Sequence, residues 1–301
     1  MSDIQDFIQS ILPIERLQDD GVPTASVAVL EDGKISSFVI TNGQENSDTV
    51  YQAASISKAI CSLGVAKLID DGKLSYDTKV VNHLDQALID CIVDERTENL
   101  IQHVTIGHLV SHTSGLSQHG FPGYAGAAAS PQDIVAGRLP ANTPRLRFLS
   151  FPGSQFSYSG GGFVVLQLML ESIMGLPFRQ IMQDTVLAPL GMSRSWYGDM
   201  SAEETNFTKA YFSGYSVADT GRGYYLLPEL AAAGLWTTPS DLLKAVSAIQ
   251  ESLYTTQGFL KRGTAEILLA PVSSKGPLGP MAHGWVVDDI GFGHGGDNFP
   301  G

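Results

Sequence analysis

Ser55-Ile56-Ser57-Lys58 opens the stretch on which the reading of this chain turns. Residues 55–72 carry apolar side chains at Ile60, Leu63, Ala66 and Leu68, and Gly72 stands where a helix C-cap belongs. The stretch therefore predicts a helix that begins at the serine. On such a helix Ser55 and Lys58 are three residues apart and share a face. A serine hydroxyl is a weak nucleophile until a neighbour takes its proton. A lysine takes it only when burial or nearby positive charge depresses its own pKa. A serine at a helix start also has backbone N–H groups that can face a developing oxyanion. Taken alone, the pattern also reads as a capping serine followed by a solvated lysine.

Two further segments carry chemistry. Phe151-Pro-Gly-Ser-Gln-Phe-Ser-Tyr158-Ser-Gly160-Gly-Gly sets a tyrosine in a glycine-rich turn just before an apolar helix. A phenol acts as a base at neutral pH only where cations favour the phenolate, and a nearby lysine supplies one. Otherwise Tyr158 is a ring packed beside a loop. Gly293-His294-Gly295-Gly296-Asp297 lets a substrate approach backbone closely, and an N–H there would complete an oxyanion site. It also reads as a simple turn.

Outward from these segments, Thr24–Leu30 and Lys34–Thr41 are β-rich runs joined through Asp32-Gly33, a hairpin signal. Residues 2–18 predict an amphipathic helix with Ile4, Phe7, Ile8, Ile11 and Leu12 on one face and Pro13 as its break. Further helices are expected at 105–111, 162–174 and 177–187, and at 241–252 with Ser240 as N-cap. Strands are expected again at 284–288 and 291–294. Strands at both ends with helices between predict an α+β protein whose ends share one sheet.

Composition narrows the function. The 301 residues are 43% hydrophobic and 16% charged, a globular balance. A net charge of −13 disfavours nucleic acid and anionic lipid as partners. Cys61 and Cys91 are expected as buried thiols, and no cysteine or histidine spacing suggests a zinc site. His108 and His112 are four apart, but no third ligand accompanies them, so neither metal nor cofactor is expected. No stretch reaches the about 18 apolar residues of a membrane span. The N-terminus lacks a basic leader region, so a cytoplasmic protein is the expectation.

In order and company the three segments resemble the SxxK serine hydrolases: penicillin-binding proteins, class C β-lactamases and the family VIII esterases of the same fold. The family order S-x-x-K, Tyr-x-Asn, then Lys-Thr-Gly or His-x-Gly is met by Ser55…Lys58, Tyr158-Ser159-Gly160 and His294-Gly295-Gly296. Val104-Thr-Ile-Gly-His-Leu-Val-Ser-His-Thr-Ser-Gly-Leu116, Pro189-Leu-Gly-Met192 and Ala233-Gly-Leu-Trp-Thr-Thr-Pro-Ser-Asp241 are similar to family segments as well.

The resemblance implies a β-lactamase/transpeptidase-like fold: an antiparallel sheet flanked by helices, with a mostly helical second lobe. The chain would be one domain, 1–301, with its sheet lobe at about 1–54 and 255–301 and its helical lobe at about 55–254. It implies Ser55 as nucleophile, Lys58 and Tyr158 as proton carriers, and the N–H groups of Ser55 and Asp297 as oxyanion donors. Gly160, His294, Gly295, Gly296 and Asp297 would line the substrate, a small ester, amide or peptide. It places 104–116 in a structural role.

Two departures stand out. Gly160 replaces the family's asparagine, whose amide helps hold a β-lactam, and His294 replaces lysine. Both favour an esterase or peptidase over a β-lactamase; a penicillin- or peptidoglycan-binding protein with little turnover is the alternative. The chain also stops at Pro300-Gly301, where the family continues with strands and a closing helix. This predicts C-terminal truncation and a 291–294 strand with no neighbour from this chain.

Overall fold

The computed structural model describes residues 2–212, 216, 217, 219–274, 276 and 279–298; Pro300 and Gly301, where truncation was expected, lie outside them. Two short helices, α1 (Ser2–Ile11) and α2 (Ile14–Asp19), meet at Pro13, which cannot continue a helical hydrogen-bond ladder. Phe7 and Ile11 of α1 remain exposed. Strands β1 (Thr24–Glu31) and β2 (Lys34–Thr41) form the expected antiparallel hairpin, with Glu31 opposite Lys34. Asp32 and Gly33 turn it with φ of 49° and 74°, the positive pair that a two-residue hairpin needs.

The site rests on a second small sheet. Strand β3 (Tyr51–Gln52) leads directly into α3 (Ile56–Asp70), the helix that follows Ser55. The short helices α4 (Gln86–Ile92), α5 (Ile106–Val110) and α6 (Pro131–Ala136) precede α7 (Gly160–Met174), which ends on left-handed Gly175. Helix α8 (Phe178–Met182) runs on into a π-turn over Gln183–Leu187. Strand β4 (Trp196–Tyr197), the pair β5 (Tyr211–Phe212) and β6 (Ser216–Val217), and helix α9 (Leu230–Ala233) follow. Strand β7 (Leu235–Thr237) lies between β3 and β4, antiparallel to both. Helices α3 and α7 pack on α9, and their interior faces form one continuous core that includes Leu63, Val65, Phe163, Val165 and Leu235.

Helix α10 (Pro239–Tyr254) packs against the β1–β2 hairpin, and α11 (Arg262–Leu269) packs against α3 and α10. The cap of α10 is Thr238, whose side chain accepts the Asp241 N–H, and not Ser240. Pro239 takes the first helical position, where its missing N–H costs nothing, and the cap therefore falls two residues before Ser240. Asp241 is buried rather than simply facing the helix dipole: it accepts from the Arg194 N–H, the Ser195 hydroxyl and the Lys244 amine.

Strands β8 (Val286–Val287) and β9 (Phe292–Gly293) pair with each other. The 291–294 segment therefore does have a strand neighbour from its own chain, contrary to expectation. The two ends do not share a sheet among the described residues, because β1 pairs only with β2. What anchors the C-terminal hairpin is packing. Gly284 (φ 82°) lies so close to α3 that a Cβ would overlap Ser62, while Trp285 is buried and meets Phe292 edge-on. Cys61 is buried as expected, but Cys91 is only half-buried: it sits on the outer side of α4 with its thiol donating to the Ala87 carbonyl.

Candidate active site

Ser55 is placed by a strained turn and a network of backbone contacts. Ala54 before it adopts φ 47°, a left-handed conformation uncommon for a residue with a Cβ. The Ala53 N–H donates to the Leu235 carbonyl, which ties the turn to the central strand β7. The Ser57 hydroxyl donates to the Ala54 carbonyl at 2.6 Å and accepts the Leu235 N–H at 3.0 Å. The buried Tyr197 hydroxyl donates to the Ser57 carbonyl at 2.8 Å. Ser55 caps α3 by position only; its side chain accepts no helix N–H and stays free for other partners.

Its partner is Lys58, one turn along, which is almost entirely buried. The amine donates to Ser55 Oγ at 2.9 Å and to the Ala232 carbonyl at 2.7 Å. No carboxylate among the described residues pairs with it. A cation stripped of water without a counter-charge gives up its proton readily, and burial lowers the Lys58 pKa to about 7.

Tyr158 arrives from the other side. Lys58 Nζ lies 5.1 Å from its ring centroid, and its phenol is near enough to the Ser55 side chain for that hydroxyl to favour its ionisation. Burial raises its pKa, and the Ser55 contact only partly offsets this, so the phenol keeps its proton at neutral pH. The turn carrying Tyr158 is laced to the 112–119 segment. The Gly153 N–H donates to the Thr113 carbonyl, the Ser157 N–H to the His112 carbonyl and the Ser159 hydroxyl to the Ser117 carbonyl. Ser159 also caps α7 by accepting the Gly162 N–H. Two imidazoles lie on the phenol ring, His112 at 4.1 Å and His119 at 4.7 Å between centroids.

The third segment reaches the same place through Gly296. A Cβ built there would stand 2.5 Å from the Ala53 carbonyl oxygen and 3.0 Å from the Ser55 amide nitrogen. Neither the Ser55 nor the Asp297 N–H donates to a described residue. Gly295 has open space where a side chain would be. His294 is half-buried, and its pKa is lowered first by burial and then by the charge of Lys58. Gly160 differs in character. It is buried, and a Cβ there would meet the His119 carbonyl oxygen and the Phe121 ring, each at 2.8 Å.

Ser55, Lys58, Tyr158, Gly296 and the 294–297 segment thus converge, while Gly160 faces packed protein. Neither His112 nor His119 is a site candidate in the sequence reading, which weighs His112 only with His108 as a possible metal pair and places 104–116 in a structural role. Among the described residues no group of three or more His, Cys, Asp or Glu side chains is placed to hold a metal.

The sequence model of the Beta-lactamase family matches residues 13–301. The chain belongs to the beta-lactamase family. This beta-lactamase-family chain is 28% identical over 180 residues to penicillin-binding protein 4 of Amycolatopsis lactamdurans, covering 58% of this chain and 44% of that protein. It is 34% identical over 176 residues to esterase EstB of Burkholderia gladioli, covering 56% and 43%. The chain spans about half the length of the curated relatives it matches. In fold it is similar to D-amino acid amidase from Ochrobactrum anthropi SV3, with a TM-score of 0.73 at 19% identity over 98% of this chain and 84% of that one.

Proposed function

We propose that this chain is a serine hydrolase that cleaves esters or amides through an acyl-enzyme on Ser55. The observation that carries the reading is the buried, uncompensated Lys58 amine at 2.9 Å from the Ser55 hydroxyl. Near neutral pH much of that amine is unprotonated. The hydroxyl then donates across the same contact, and the amine accepts its proton as Oγ attacks the carbonyl carbon. The Oγ–C bond forms, the carbonyl electrons move onto oxygen, and the Ser55 and Asp297 N–H groups receive the oxyanion.

Collapse of the tetrahedral species breaks the bond to the leaving group. The proton held on Lys58 passes to that group through Tyr158, whose phenol gives one proton and takes another. Water then repeats the sequence and releases the acid. Lys58 suits the role of base better than Tyr158, since burial makes the amine easier to deprotonate and the phenol harder.

The packing around Gly160 favours ester or simple amide substrates over β-lactams: the place of the family's amide side chain is taken by the His119 backbone and the Phe121 ring. The test is Ser55→Ala assayed on p-nitrophenyl esters of short acids. Turnover falls by at least about 10³-fold if Ser55 is the nucleophile; a variant at the wild-type rate refutes the mechanism.

A further inference from the structure

His112 touches three consecutive residues of the turn that presents Tyr158. Its carbonyl accepts the Ser157 N–H at 2.8 Å, its ring stacks on Tyr158 at 4.1 Å and 25°, and its Nδ1 accepts the Ser159 N–H at 3.0 Å. The residue is fully buried, with Phe163 and Phe156 against the remaining ring surface. Because Nδ1 is an acceptor, the ring proton sits on Nε2, and that nitrogen has no partner among the described residues. The backbone is held at φ 57°, in the left-handed region that residues with a side chain adopt uncommonly. A strained backbone and an unpartnered buried nitrogen are both unfavourable, and neither helps the core. Both follow if the position exists to hold Tyr158.

We propose that His112 is the positioning residue of Tyr158: its neutral ring fixes the plane of the phenol, and its two acceptors fix the turn on either side. This rests on the acyl-enzyme reading above. His112 touches neither substrate nor Ser55 in this role; it acts through the direction in which the phenol oxygen points. A phenol free to tilt relays the proton less often, so the loss falls on the chemical step and not on substrate binding.

Two variants divide the function of the side chain. His112→Asn keeps an acceptor where Nδ1 was and tolerates the left-handed backbone, but removes the stacked ring. His112→Phe keeps a ring and removes the acceptor. Each is made alone and together with Tyr158→Phe, and the single-turnover rate constant for acylation is measured with an alkyl ester, whose alkoxide must be protonated as it leaves. That constant does not depend on what fraction of a preparation is folded. With Tyr158 present, both variants are expected to lower it about tenfold while KM stays within about twofold; with Tyr158→Phe the further loss is under about twofold, because the group being positioned is gone. An equal loss in both backgrounds, or no loss in either, overturns the positioning role and leaves the acyl-enzyme reading intact. Tyr158→Phe acting at the wild-type rate overturns the relay itself, and the positioning role with it.

Discussion

Gly296 and Ser55 are in backbone contact: a methyl group on Gly296 would stand 3.0 Å from the Ser55 amide nitrogen and 2.5 Å from the Ala53 carbonyl oxygen. Only a residue without a side chain leaves that amide open, so Gly296→Ala closes the oxyanion site without touching the hydroxyl, amine or phenol. The expected result is a loss of about 10²–10³ in kcat, the usual effect of losing an oxyanion donor. Steady-state kinetics on a p-nitrophenyl ester measures it, and a loss under tenfold would place the oxyanion elsewhere.

Acylation follows the ionisation of Lys58. The protonated amine cannot accept the Ser55 proton, so the acylation rate rises with pH and levels off above a midpoint near the depressed pKa of about 7. Lys58→Arg keeps the charge but stays protonated at every accessible pH, so its rate is low and flat across the range. Stopped-flow acylation from pH 5 to 9 checks both; a wild-type rate independent of pH would exclude Lys58 as the base.

The same burial makes Lys58 a cost to stability. The unfolded amine binds its proton up to 10.5 and the folded one only up to about 7. Between those values unfolding takes up a proton, and the stability of the wild-type chain rises with pH. Lys58→Met removes both the slope and the buried charge, at the loss of two hydrogen bonds. It is expected to raise stability at pH 7 by roughly 1–3 kcal/mol while abolishing turnover. Thermal melts at pH 7 and 9 read the difference; a destabilised variant would show that the Ala232 and Ser55 contacts outweigh the desolvation.

Restoring the family's asparagine does not restore the family's chemistry. In Gly160→Asn the new Cβ collides with the His119 carbonyl, a backbone atom, and with Phe121. The expected outcome is a melting temperature lowered by several degrees and no gain in hydrolysis of a chromogenic cephalosporin. A stable variant with new β-lactamase activity would mean that the 117–121 loop yields easily.

Local patterns carried much of this structure. The Asp32-Gly33 turn, the helix after Ser55 and the break at Pro13 depend on neighbours in sequence, and all three are as the sequence predicts. The convergence of Ser55, Lys58 and Tyr158 came from the order of motifs. What stayed hidden was set by packing between distant segments. His112 and Tyr158 meet because several backbone hydrogen bonds join their turns, and no periodicity reports that. The left-handed Ala54 carries no glycine to announce it. The strands at 284–288 and 291–294 are legible in the sequence, but that they pair with each other is set by the turn between them and not by alternation. The α10 cap is legible locally, since Pro239 suits the first helical position and leaves Thr238 as the cap.

The central claim is that Ser55 becomes acylated, and peptide mass mapping tests it directly. The protein is incubated with a fluorophosphonate, quenched, digested and analysed by tandem mass spectrometry. The prediction is one adduct per chain, on Ser55, lost in Ser55→Ala and slowed in Lys58→Arg. An adduct on another residue, or none from a chain that still hydrolyses esters, would contradict it.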